Sequence, residues 1–164
     1  MAMNEVPVGQ ISLKAYTKIK QNSYKAWPNE WGGLLVIEEG IVADIIILKH
    51  IADGASFEID DDELAEFMID LMENNPAKLV SIKGWVHCHP MMGWSGQDEA
   101  TISRLLNTFG DFCVSIVDQH AKQLRFRIDF LTESGRAVQD DMLFEIVDGE
   151  VPPTERTDNM LVRC

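Results

Sequence analysis

Gly84-Trp85-Val86-His87-Cys88-His89-Pro90-Met91-Met92-Gly93-Trp94-Ser95-Gly96-Gln97-Asp98 is the stretch that organises the chain. Leading into it, Val80 to Val86 is an apolar, partly β-branched run of strand length and reads as a buried strand. Strand side chains alternate faces, so His87 and His89 point one way and Cys88 the other. Pro90 cannot donate to a sheet ladder and Gly93 permits a sharp turn, so the strand stops there. Asp98 falls in the first turn of the next helix, where it can swing back toward the two imidazoles. Two histidines and one carboxylate, with a position left open, are the donor set of a catalytic zinc site.

Each half of this pattern has a plainer explanation. A His-x-His pair can be two ordinary strand-end histidines. Ser95-x-x-Asp98 has the form of a capping box, with Ser95 as N-cap and Asp98 at N3. The two halves together are far more specific than either alone. Cys88 faces away from its neighbours, which argues for a buried structural thiol and against a nucleophile or ligand. His50 and His120 have no partner pattern and read as surface or turn residues. Trp85 shares a face with His87 and is expected to wall the site. Met91, Met92 and Trp94 are candidates for a substrate groove, with core packing an equal alternative.

A chain of 164 residues is long enough for one domain with a real core. With 27 acidic residues against 14 basic ones, the net charge of −13 repels phosphates, so a nucleic-acid partner is disfavoured. The three cysteines are widely spaced and make no disulfide framework. The N-terminus lacks the parts of a signal peptide, and no apolar run approaches the roughly 20 residues of a membrane span. A cytoplasmic protein without membrane contact is the expectation.

Ser12 is a candidate N-cap for a helix through about Trp27, ended by Pro28 and Asn29. Gly32 to Glu38 reads as a strand, Glu39-Gly40 as a turn, Ile41 to Lys49 as a second strand and Phe57 to Ile59 as a short third. Asp60 can cap a helix that ends at Asn74-Asn75-Pro76, with Leu64, Phe67, Met68, Leu71 and Met72 as its core stripe. A helix from Gln97 to Phe109 buries Ile102, Leu105, Leu106 and Phe109 and stops at Gly110. Cys113 to Asp118 and Leu124 to Phe130 make a hairpin, the second strand alternating Leu124, Phe126, Ile128 and Phe130 with a wet face of Arg125, Arg127 and Asp129. Met142 to Val147 fits strand or helix. Residues 1–149 are expected to form one α/β domain, a mixed sheet flanked by helices, with 150–164 as a mobile tail.

His-x-His-Pro followed by Ser-x-x-Asp resembles the signature of the JAMM (MPN-plus) zinc metallopeptidases. Glu30-Trp31-Gly32-Gly33-Leu34-Leu35 is similar to that family's upstream Glu-x-x-Gly-Leu-Leu segment. In element order the resemblance runs from about residue 10 to residue 131. It implies a cytidine-deaminase-like α/β sandwich and one Zn2+ per chain on His87, His89 and Asp98. It also implies Glu30 as general base and Ser95 as donor to the developing oxyanion, in hydrolysis of a peptide or isopeptide bond. Cys88 stands where the family usually has Ser or Thr. Four residues separate Pro90 from Ser95, where deubiquitinating relatives often have about two more, and the tight Asp118–Gln123 connection leaves no room for their ubiquitin-clamping insertion. The chain is thus more similar to compact bacterial, archaeal or phage-associated members, whose substrates include ubiquitin-like carriers, conjugates and peptides.

The rival expectation is a scaffold, since many relatives have lost the ligands and serve only in assembly. Retention of Glu30, His87, His89, Ser95 and Asp98 together speaks against it. A nucleobase deaminase needs H-x-E with a downstream P-C-x-x-C, which is absent from the sequence. A DNA-repair-associated relative is opposed by the acidic charge.

Overall fold

The computed structural model describes residues 9–47, 50–52, 57–89, 93–119 and 123–147; Met91, Met92, His120 and the expected tail lie outside them. The described chain starts with strand β1, Gly9–Ile11, and helix α1, Leu13–Ala26. Ser12 caps α1 as its position before the apolar repeat demands, its Oγ accepting the Ala15 amide at 3.0 Å. Strands β2, Gly32–Glu38, and β3, Ile41–Ile46, form a hairpin; β3 ends short of the expected Lys49. Strands β4, His50–Ala52, and β5, Phe57–Ile59, pair as a separate ribbon. Helix α2, Asp61–Asn74, is capped by Asp60 and carries Asp61, Asp62 and Glu63 at its positive end.

The approach to the histidine strand corrects the sequence reading. Pro76 ends α2 but also opens a short helix, α3, Pro76–Ser81, at whose first position proline's missing N–H costs nothing. Asn75 caps it through the Lys78 amide at 3.2 Å. Val80 therefore belongs to a helix and is exposed, and the strand β6 runs Ile82–Cys88. Helix α4, Gly96–Phe109, ends at Gly110 in the left-handed conformation, φ 89°. Then come β7, Phe112–Asp118, β8, Leu124–Thr132, β9, Gly135–Met142, and β10, Phe144–Ile146.

Eight of these strands make one mixed sheet in the order β10-β1-β3-β2-β6-β7-β8-β9. β6 and β7 are parallel neighbours joined through α4, a βαβ unit; β1 also runs parallel to β10 and β3, and the remaining pairs are antiparallel. One face packs Leu35, Val86, Cys88, Ile116 and Phe126 against Ala15, Tyr16 and Ile19 of α1. The other packs Leu34, Trp85 and Cys113 against Leu64 and Leu71 of α2 and Ile102, Leu105 and Leu106 of α4. This makes a mixed α/β unit with helices on both faces. Met72, expected in the α2 stripe, is 61% exposed, since the arc that meets the sheet is covered by Leu64, Leu71 and the half-buried Phe67 and Met68.

β9 is an edge strand exposed on nearly its whole length, so its sequence lacks the apolar alternation that marks a strand. The Met142–Val147 question resolves to strand, since β10 lies against β1. Only Leu143 separates β9 at one sheet edge from β10 at the other, so the sheet is rolled until its edges meet. Phe126 of β8 stacks on Phe144 of β10 with centroids 5.0 Å apart. Among the described residues, no helix is long and apolar enough to cross a membrane.

β6 and β7 approach closely at Gly84, where an added Cβ would lie 2.2 Å from the Val114 carbonyl oxygen. Gly84→Ala should therefore force the two strands apart and cost at least about 2 kcal/mol of stability, measured by urea unfolding. An unchanged midpoint would contradict this packing.

Candidate metal centre

β6 delivers the histidines. Its antiparallel pairing sets Gly32 opposite His87, and its parallel pairing sets Val117 beside His87. The His89 amide donates to the Asp118 carbonyl at 2.8 Å, so the backbone stays extended one residue past the strand and His89 keeps to the His87 face. The two rings meet edge to face with centroids 5.5 Å apart. Cys88, fully buried, joins the α1 core on the opposite face.

α4 delivers the carboxylate. The capping box is complete: the Asp98 amide donates to Ser95 Oγ at 3.1 Å, and the Ser95 amide to Asp98 Oδ2 at 2.8 Å. The same carboxylate lies against both imidazoles, Oδ1 at 3.1 Å from His87 Nε2 and Oδ2 at 3.9 Å from His89 Nε2. The cap and the contact to the histidines thus coexist in one side chain.

One ligand atom from each of His87, His89 and Asp98 lies within 4.8 Å of the others. Zinc bonds of about 2.0–2.2 Å at tetrahedral angles set ligand atoms roughly 3.3–3.6 Å apart. The donor set therefore fits a small divalent ion with little movement, and this buried group can hold one. Burial pushes the His87 imidazole below its ordinary value, against the pull of Asp98 and with help from the His89 charge. Burial raises the Asp98 carboxyl, but the hydrogen bond and charge of His87, the Ser95 amide and the His89 charge outweigh it and hold it low. Neutral imidazole and ionised carboxylate are the forms that bind metals.

Trp85 stacks on His87, centroids 4.4 Å apart and planes 2° from parallel, while its Nε1 donates to Ser115 Oγ at 2.9 Å. At 1% exposure it backs the histidine from within the core and offers no face to a substrate. Trp94 is half-buried, with its ring 6.1 Å from that of His87. Its Nε1 donates to Asp140 at 3.0 Å, and the Arg127 guanidinium sits 5.5 Å over its ring. Ser95, at the N-cap of α4, is exposed.

Glu30 is 4% exposed. The Cys88 amide donates to the Trp31 carbonyl at 2.9 Å, extending the β2–β6 ladder by one step. Trp31 accordingly shares the Cys88 face, in the α1 core. Glu30 directly precedes Trp31, at the end of β2 that pairs with the His87 end of β6. Behind it, Gly33 lets β3 close in, since a Cβ there would stand 2.5 Å from the Ile46 carbonyl oxygen.

Two supports were not legible as site residues. Asp118, fully buried, accepts from Lys20 Nζ at 2.9 Å and from Ser23 Oγ, which in turn accepts from Trp31 Nε1 at 2.8 Å. That chain ties the backbone beside Glu30 to the one beside His89. The second lies on the face of β8 expected to be wet: Arg127 and Asp129 are instead buried, beside Glu99 of α4. Arg127 bonds Asp129 at 2.9 Å and Glu99, and Arg136 from β9 reaches Asp129 at 2.7 Å and Glu99 at 3.2 Å. The Arg127 hydrogen bond is the main cause holding the Glu99 carboxyl low.

No protein-family model matches the chain, and no curated protein does. Among solved structures, it is similar to a Desulfitobacterium hafniense protein determined in solution, with TM-score 0.52 at 17% identity over 84% of this chain and 93% of that one. A JAB1/MPN domain protein from Archaeoglobus fulgidus aligns with TM-score 0.44 at 16% identity, over 85% of this chain and 99% of that one. The first likeness shows a shared fold.

His87 binds its proton less readily folded than unfolded, so its stabilisation is complete above the ordinary value of 6.5 and is lost as pH falls below it. Asp98 adds a loss of the same sign below its ordinary 3.8. Metal-stripped protein should thus show a urea midpoint that falls from pH 7 to pH 5, with a shallower fall in His87→Gln. A midpoint that is flat or rises toward pH 5 would contradict a neutral buried His87.

Proposed function

We propose that the chain is a zinc-dependent hydrolase that cleaves a peptide or isopeptide bond beside the tail of a ubiquitin-like or other small protein. The observation supporting this is the buried His87-His89-Asp98 cluster; Glu30, two residues before β2, is buried as well. Zinc held by the three side chains would lower the pKa of a bound water to about 7 and polarise a carbonyl. Glu30 takes the proton of the attacking water and returns it to the departing amine nitrogen. The Ser95 hydroxyl accepts the Asp98 amide through an oxygen lone pair, which leaves its proton to donate to the carbonyl oxygen as charge develops there. Trp94, whose ring lies 6.1 Å from that of His87, would wall the substrate groove.

The rival reading, a catalytically idle scaffold, requires no metal. Elemental analysis of purified protein should find close to one zinc per chain. Glu30→Gln should retain that zinc while hydrolysis falls by roughly 10²–10⁴-fold. Protein that takes up no zinc favours the scaffold, and zinc-loaded Glu30→Gln with full activity removes the general-base role.

A further inference from the structure

Gln119, the residue after β7, is 6% exposed, yet its Nε2 meets no hydrogen-bond partner among the described residues. A buried amide donor without an acceptor is costly, and such a group in a native fold marks strain, a functional role, or a bound water, ion or ligand. Its direction follows from the ladders. The Gln119 amide donates to the Gln123 carbonyl at 3.2 Å, so the backbone stays extended beyond Asp118. The Asp118 side chain turns toward Lys20 and Ser23 of α1, and alternation sends Gln119 to the opposite face, that of His87. Because Cys88 pairs with Asp118, the next step across β6 and β7 sets His89 beside Gln119. Both stand at the carboxyl ends of a parallel strand pair, the end at which α/β sheets bind ligands.

We infer that Gln119 is a substrate-binding residue, its Nε2 donating to a backbone carbonyl oxygen of an extended peptide laid across the ends of β6 and β7. A neutral amide donor suits a neutral carbonyl. A carboxylate or phosphate would be opposed by Glu30, Asp98 and the net charge of −13. The peptide identity of this ligand rests on the hydrolase reading; the contact that holds it is new.

The test uses zinc-loaded, ¹⁵N-labelled full-length protein carrying Glu30→Gln, with a defined pool of linear and lysine-branched peptides. The Gln119 side-chain NH₂ signals should shift on adding the pool. Gln119→Met should weaken peptide binding about tenfold, with zinc content unchanged and a melting temperature equal to or above the parent's, since its Nε2 loses no partner among the described residues. A clearly lower melting temperature, peptide binding that leaves the Gln119 signals unmoved, or no binding at all would overturn the inference. The two readings fail separately. If wild type binds the pool and shifts Gln119 but cleaves nothing, the hydrolase fails and the contact stands. Cleavage with KM unchanged in Gln119→Met removes the contact and leaves the hydrolase.

Discussion

A single carboxylate, Asp98, fixes the start of a helix to the end of a strand. Its Oδ2 closes the capping box through the Ser95 amide, and its Oδ1 meets His87. The helix it starts is seated by Ile102, Leu105 and Leu106, all buried against the sheet. Burial of each such side chain is worth about 1.5–3 kcal/mol. A one-residue rotation of α4 would turn those side chains out of the core and carry Asp98 away from the histidines. Site geometry and core packing are therefore the same constraint seen at two ends of one helix.

The surroundings stiffen that arrangement from both faces of the sheet. On the α1 face, Asp118 gathers Lys20, Ser23 and, through Ser23, Trp31, which holds the chain ends beside Glu30 and His89 together. On the α4 face, Asp129 and Glu99 share Arg127 and Arg136, linking β8, β9 and α4. Buried charges persist only when paired and hydrogen-bonded. Here the pairing also sets Arg127 over Trp94, whose ring neighbours that of His87. Trp85, stacked on His87 and bonded to Ser115, fixes an imidazole plane that a metal-binding site needs held.

Much of this was legible in the residues. Caps at Ser12, Asp60 and Ser95 and the glycine at Gly110 are local chemistry, and the helices they bound fall within a residue of expectation. Alternation alone separated His87 from Cys88. What local reading missed depends on partners distant in sequence. Arg127 and Asp129 look like a solvent face until α4 and β9 bring Glu99 and Arg136 to them. β9 carries no apolar pattern because it is an edge, and Val80 reads as strand because a proline can open a helix as well as end one. Gln119 and Asp118 differ in role only through the face each occupies, which the β6–β7 register decides.

The claim on which all this converges is that His87, His89 and Asp98 grip one metal ion. Anomalous diffraction at the zinc edge, from crystals grown with zinc, tests it most directly. The account predicts one strong peak per chain lying between those three side chains. Crystals with zinc bound elsewhere and no peak between the three, their side chains turned apart, would contradict it.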